Sequence, residues 1–489
     1  MALVILSIAY AVTVAMLMLS MMQIAMLIKY GIVNLMYMRV HGNRVHERDK
    51  ANTVPAHKLP FVSILIPIKN ENIMTIERSL QAIASLNYPK ELFEVLYISD
   101  DPEYYVNSLT KIIIPPMSRR LGINVKVLRR TVNKGYKGGA LNYGIKHAKG
   151  DVIAVFDVDT IMPSDYLQKA VIALLNGYDA VTAVWRGYYT VDNSVSRLLK
   201  FMYDLYSDVF IRGRFLGNGF PIITSNNLVI WRKVLDLVNG FCECTGEDLN
   251  LTIKLRSRGG YRIGLIDSIV YSEVPQTYLA FKKQFSRWLF NGIWSLKHDL
   301  KLILTSREVT IWEKIDSILW MLQIPSTSFV PLSILITIVL SVIGVLIPPI
   351  SITLLEILNT SISAILGIIL LLFFKKMGYK TWDFLTNMAK AISLMILISF
   401  PMLVYSIESL ITDEWEWIPT PKGPSPHHMR IGSFKDLVHE LFAILILVIA
   451  MVVLILYKQL LTTIYVLSIM LIMMYSLRFT IPQKALVKQ

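Results

Sequence analysis

The sequence predicts an α/β domain built on a mostly parallel sheet and flanked by transmembrane and interfacial helices. Between Pro60 and Thr305 short apolar runs alternate with segments of helical period, whereas long apolar stretches lie on either side. The composition agrees, because 54% hydrophobic and 17% charged residues over 489 positions is too apolar for an ordinary soluble protein. The chain therefore divides into an N-terminal membrane helix with its juxtamembrane segment (1–50), an α/β domain (51–305) and a C-terminal membrane domain (306–489).

Crossing a hydrocarbon core takes roughly 20 helical residues. Ala2–Ile28 is long enough, with only Ser7, Ser20 and Gln23 as polar interruptions. The positive start of a cleaved signal peptide is missing, while Lys29, Arg39, Arg44 and Arg48 follow the apolar run. By the positive-inside rule the N-terminus is expected outside and the α/β domain in the cytoplasm.

Within that domain Val62–Ile66, Phe93–Ser99, Val125–Leu128 and Val152–Phe156 read as buried parallel strands. Thr75–Leu86, Ala140–Ala148 and Tyr166–Leu175 carry helix-period apolar residues between or after them. There is no internal repeat or low-complexity segment.

Beyond Arg307 the apolar stretches are Ile315–Ile347, Ile350–Phe374, Ala389–Ile411, Val438–Tyr457 and Leu460–Leu477. If all five crossed, the loop Thr412–Lys435 and the tail with Arg478, Lys484 and Lys488 would fall outside, against the positive-inside rule. Ala389–Ile411 holds Ser393, Ser399, Pro401, Ser406, Glu408 and Ser409, which makes it the least lipid-like of the five. It is expected at the interface, giving five spans and one interfacial helix in a multi-pass protein of the cell membrane.

A net charge of +14 is spread over juxtamembrane segments and loops, without a compact basic module, so a nucleic-acid partner is set aside. Attraction to membrane lipid and to an anionic substrate accounts for it. Cys242 and Cys244 are the two cysteines; one residue between them strains a disulfide and leaves a zinc site two ligands short, so their role reads as structural.

Six motifs carry chemistry. Pro67-Ile68-Lys69-Asn70-Glu71 and the pair Asp100-Asp101 lie where parallel strands end, on the rim at which open α/β sheets bind ligands. Taken alone, each also suits a turn or helix cap. Lys134–Asn142 is a glycine-rich turn opening a helix, and its Lys137 with free backbone N–H groups suits a diphosphate. Asp157-Val158-Asp159 ends the strand Val152–Phe156; alternation puts both carboxylates on one face, where hard oxygens and a diphosphate favour Mg²⁺ or Mn²⁺. Glu247-Asp248 opens a helical stretch and offers either a cap or a general base. Gln284, Arg287 and Trp288 share one helix face, with Arg287 able to fork onto phosphate and Trp288 to stack on a sugar; a bilayer-resting amphipathic helix would show the same residues.

In this order the motifs resemble the membrane-integrated inverting glycosyltransferases of family 2, the group of cellulose, hyaluronan and chitin synthases, over Pro60 to Gly423. The resemblance implies a GT-A-like catalytic domain. It also implies that Pro67, Glu71, Asp100, Asp101, Lys137 and Asp157 bind a UDP- or GDP-sugar, that Asp157 and Asp159 hold Mg²⁺ or Mn²⁺, and that Asp248, with Glu247, supplies the base. Gln284, Arg287 and Trp288 would stand at the acceptor and diphosphate. Trp417–Gly423, in the loop 412–435, is similar to the family's cytoplasmic gating loop, which supports placing Ala389–Ile411 at the interface. Lys69 stands where an aromatic is common, Gly246 replaces a threonine, and only one span precedes the domain, which leaves the sugar open.

The implied reaction is transfer of a sugar to a growing β-linked glycan with export through the membrane domain. Transfer of one sugar to a membrane lipid is the alternative. A nucleotide-binding transporter or receptor is a third, supported among span residues chiefly by Glu356. His427-His428 reads as solvated.

Overall fold

The computed structural model describes residues 2–41, 58–344, 350–415 and 434–480. Seven strands form one sheet in the order β3-β2-β1-β4-β6-β5-β7. They are β1 (Val62–Ile68), β2 (Phe93–Ser99), β3 (Val125–Arg129), β4 (Val152–Phe156), β5 (Ala180–Tyr188), β6 (Asn227–Trp231) and β7 (Ile263–Glu273). Pairings within β3-β2-β1-β4 and between β5 and β7 are parallel, while β6 runs antiparallel to β4 and β5.

The nearly continuous apolar character of β1, broken only by Ser63, and of β4 follows from burial on both faces. Val62, Ile64 and Ile66 with Val152, Ala154 and Phe156 enter one core layer. Leu65 with Ile153 and Val155 enters the other. The helices that matter for the site are α1 (Ala2–His41), α2 (Ile73–Ala84), α3 (Tyr136–His147), α4 (Tyr166–Leu175), α5 (Ser194–Leu205), α6 (Glu247–Gly259) and α7 (Tyr278–His298). Asn72 caps α2 by accepting from Met74 N, and Thr277 caps α7 by accepting from Ala280 N.

The membrane side comprises α8 (Ile311–Met321), α9 (Phe329–Val342), α10 (Ile350–Lys376), α11 (Thr381–Ile411), α12 (Val438–Leu456) and α13 (Leu460–Thr480). Six helices among the described residues are long and apolar enough to cross a membrane, α1 and α11 included, which is consistent with a multi-pass protein. Two expectations are corrected. α1 is one helix to His41, so Lys29 and Arg39 belong to it rather than following it. The stretch 315–347 is not one span: α8 starts at a capping box of Thr310 and Glu313, and a 3₁₀ turn at Pro325–Ser328 precedes α9. Pro325 opens that turn and cannot continue a preceding helix, while Asp316 of α8 is fully buried toward the α/β unit.

That aspartate ties three elements together. Arg214 Nε donates to Asp316 Oδ2 at 2.9 Å, Tyr30 of α1 donates to Oδ1 at 2.6 Å, and Phe220 N donates to Oδ2 at 2.7 Å. A second buried pair joins α7 to α12, with Lys282 Nζ 2.8 Å from Glu440 Oε1. α11 touches the α/β unit near both ends: Phe384 stacks edge-on with Phe201 of α5, and Asp413, just past its C-terminus, binds Lys297 of α7 at 2.5 Å. Arg44, Arg48, the segment 416–433 with Trp417–Gly423 and His427-His428, and the tail residues Lys484 and Lys488 lie outside the described residues.

Removing one partner of a fully buried ion pair leaves the other charge uncompensated, at a cost of about 3–5 kcal/mol. Asp316→Ala is therefore expected to lower Tm sharply in detergent, and a Tm within a degree or two of wild type would show that the Arg214 site is hydrated.

Candidate active site

The glycine-rich turn is shaped by close approach. A Cβ at Gly138 would lie 1.9 Å from the carbonyl oxygen of Cys242, and one at Gly139 would lie 2.2 Å from that of Lys134. Tyr136, between Gly135 and Lys137, is held at φ 53°. The loop pressed onto this turn contains Cys242 and Cys244, which are paired as a disulfide with Cα atoms 5.2 Å apart, contrary to the expectation that their spacing disfavours one.

Lys137 is the hub. Its Nζ donates to Asp157 Oδ1 at 2.6 Å and to Ser225 Oγ at 2.8 Å, and lies 3.7 Å from Glu247 Oε1. Burial opposes its charge, but Asp157, Glu247 and Asp248 outweigh that, and its pKa lies above the usual lysine value. Ser225 also donates from Oγ to Glu247 Oε1 at 2.8 Å and from its backbone N to Asp248 Oδ2 at 3.4 Å. Glu247 is buried at the first turn of α6; burial, reinforced by Asp248, pushes its carboxyl up to about 7.

Asp157 and Asp159 sit in a turn closed by Thr160 N donating to Asp157 O at 3.0 Å, so strand alternation does not continue past Phe156. Val158 packs into the core. The two carboxylates differ: the Asp157 side chain is 34% exposed, whereas Asp159 is 2% exposed and accepts from Glu273 N at 2.8 Å. Two carboxylates at a strand end suit a hard cation whose remaining ligands come from phosphate and water. No cluster of three or more His, Cys, Asp or Glu able to hold a metal occurs among the described residues.

The rim of β1 and β2 carries Pro67, paired in register with Ile98 of β2, and Glu71, whose carbonyl accepts from Tyr105 OH at 2.5 Å. Asp100 is gripped by Arg130, with Nε and Nη2 each 2.6 Å from a carboxylate oxygen. Asp101 is buried and accepts from Asn70 N and Ser99 Oγ, both at 2.7 Å, so it ties the two strand-end loops together.

On α7, Gln284 accepts from Tyr203 OH, and Trp288 packs against the Tyr203 ring at 6.0 Å. One turn beyond Arg287, Asn291 accepts from Thr245 Oγ1 at 2.6 Å and donates from Nδ2 to Thr245 O at 3.1 Å. Arg287 therefore lies on the helix face clamped to the turn that carries Glu247 and Asp248. No partner holds its guanidinium among the described residues, and the side chain is half-buried. Trp415, at the start of the 412–435 segment, stacks on Phe290, and its carbonyl accepts from Tyr136 OH at 3.0 Å.

Arg130, Ser225, Tyr203 and Asn291 were not singled out from the sequence. Only Arg130 carried a local signal, as a cation at the end of a strand beside an acidic strand end.

A glycosyl transferase family group 2 model matches residues 152–481, well over half of the chain, and a glycosyl transferase family 2 model matches 63–238. The chain belongs to the family 2 glycosyltransferases. Similar proteins within this family include a probable glycosyltransferase of Sulfolobus acidocaldarius, 31% identical over 274 residues, covering 54% of this chain and 56% of the relative. Glucomannan 4-beta-mannosyltransferase 1 of Oryza sativa subsp. japonica is 27% identical, covering 56% of each chain. A beta-monoglucosyldiacylglycerol synthase of Synechocystis is 29% identical, covering 50% of this chain and 49% of its own. The chain thus spans about half the length of the curated relatives it matches.

Glu247 binds its proton more tightly in the folded protein than at its ordinary value of 4.5, so the stability this contributes is present below that value and lost as pH rises through about 7. Glu247→Gln is expected to gain Tm over wild type on going from pH 5 to pH 8; an equal difference at both would mean that Glu247 is ionised throughout.

Proposed function

We propose that this protein transfers a sugar, with inversion, from a UDP- or GDP-sugar to a growing β-linked polysaccharide, at the cytoplasmic face of the cell membrane. The observation that carries this reading is the convergence on Lys137 of Asp157 from the end of β4 and of Ser225 and Glu247 from two further segments. The helix bearing Gln284, Arg287 and Trp288 is clamped to the same turn through Asn291. Glucomannan synthesis by a relative supports a polysaccharide product.

In this mechanism Pro67, Glu71 and the Asp100–Arg130 pair border the nucleoside. Asp157 and Asp159 would hold Mg²⁺ or Mn²⁺, which when bound would neutralise diphosphate charge. Lys137 and Arg287 add cationic hydrogen bonds to the departing diphosphate. Asp248 takes the proton of the acceptor hydroxyl as its oxygen bonds to the anomeric carbon and the bond to phosphate oxygen breaks on the opposite face. A single displacement turns an α-linked donor into a β-glycoside. Ser225 keeps the two acidic neighbours apart in role, holding Glu247 by its hydroxyl and Asp248 by its backbone N–H.

The placement of α11 on the membrane surface belongs to the same proposal. At 31 residues it is ~46 Å long, more than a bilayer core requires. A helix that meets the α/β unit at both ends runs beneath that unit. This orientation puts Lys375, Lys376 and Lys380 on the cytoplasmic side, leaving five spans.

A second reading, addition of one sugar to a membrane lipid, is favoured by the relative that makes a glucosyl lipid. The length of product formed from a radiolabelled nucleotide sugar separates the two. Asp248→Asn is expected to reduce transfer by about 10²–10⁴-fold or more while donor affinity stays nearly unchanged. Turnover retained by this variant would remove Asp248 from the role of base.

A further inference from the structure

A cavity of about 300 Å³ lies between α5 and the N-terminal half of α11, away from every residue assigned to sugar transfer. Its polar lining is Ser194, Arg197 and Lys200 from α5 with Thr386, Asn387 and Lys390 from α11. Phe201 and Tyr379 complete it.

Its surroundings fix its depth relative to a bilayer. Phe201 belongs to an aromatic cluster with Met38, Phe373, Phe374 and Phe384, where α1 and α10 end and α11 begins. Beside this cluster a second groove, of about 510 Å³, has Leu35, Met36 and Leu372 for walls and Arg39, Lys375 and Lys376 at its rim. Cations gathered at the ends of apolar helices mark headgroup depth. α11 adds a lipid-facing stripe, because Trp382, Leu385 and Ile392 are 72%, 46% and 54% exposed while Phe384, Ala391 and Leu394 are buried. Thr386, Asn387 and Lys390 point from a third face, into the cavity.

The charges there favour an anion. Lys200 is neutralised by Asp204 at 2.5 Å. Arg197 is 3.5 Å from Asp192, but both side chains are more than half exposed, so water weakens that pair. Lys390 has no partner among the described residues, and Asp383 offers the cavity residues only its carbonyl, which accepts from Thr386 Oγ1 and Asn387 Nδ2. Two cations with a hydroxyl and an amide beside them match a phosphate, and the exposed apolar stripe next to them matches the chains below it.

We propose that this cavity binds the phosphate of an anionic membrane lipid, with Arg197 and Lys390 as its principal ligands. The inference goes beyond sugar transfer and shares with it only the surface placement of α11. Bound lipid would lie against α5, whose Tyr203, one turn past Lys200, donates to Gln284.

The test uses the full chain in neutral detergent, with native mass spectrometry reading bound short-chain phosphatidic acid, phosphatidylcholine and inorganic phosphate. Wild type is expected to retain phosphatidic acid in preference to phosphatidylcholine, and Arg197→Gln with Lys390→Gln to weaken it about tenfold or more. Lys390→Arg should keep it. Should the double variant fold poorly, Arg197→Gln alone, at a 59% exposed side chain, gives the same readout. Undiminished lipid binding by the variants overturns the proposal, as does displacement of the lipid by an equal concentration of inorganic phosphate. The readout needs no donor turnover, so it stands or falls separately from the catalytic reading.

Discussion

The buried ammonium of Lys137 is the constraint on which the arrangement of the site depends. Asp157, Ser225 and Glu247 arrive from separate stretches of chain, and two of them are acids that would repel one another without a cation between them. The ammonium reaches that point because Gly138 and Gly139 let the helix start press against Cys242 and Lys134 with no room for side chains. Local backbone sterics thus become an electrostatic focus at the end of the sheet. A diphosphate arriving there would meet a lysine already desolvated and oriented.

The second organising feature is the polar seam between the α/β unit and the membrane helices. Arg214–Asp316–Tyr30 and Lys282–Glu440 are buried ionic contacts in a region where apolar packing alone would leave orientation loosely defined. Hydrophobic surfaces slide, whereas a buried charge has one satisfactory partner. Because Lys282 lies on the helix that carries Gln284, Arg287 and Trp288, the pair also ties that helix to α12.

Legibility from sequence followed burial. β1, β2 and β4 are mostly apolar runs buried on both faces, with Ser63 and Glu94 as buried polar members of the first two, and each was recognisable from its own residues. β5 and β7 were not, since Arg186 in one and Asp267 and Ser268 in the other interrupt the pattern, and the register shifts at Ala183/Val184. β6 has only five residues and takes its antiparallel place from its neighbours. The membrane segment through Asp316 read as one apolar stretch because a single carboxylate and a single proline barely lower its hydrophobicity, yet the helix stops before Pro325 and Asp316 is buried against Arg214.

Residue type and order by themselves determined the α/β organisation, the apolar helices and the short list of groups able to handle a nucleotide sugar, because periodicity and chemical character are properties of a segment. Tertiary structure alone decided which of those groups meet. It placed Ser225 between Glu247 and Asp248, joined Arg130 to Asp100, turned Asp159 inward onto Glu273 N and clamped Asn291 to Thr245. Such pairings depend on distances between residues far apart in the chain, and those distances exist only once the sheet and its covering helices have closed.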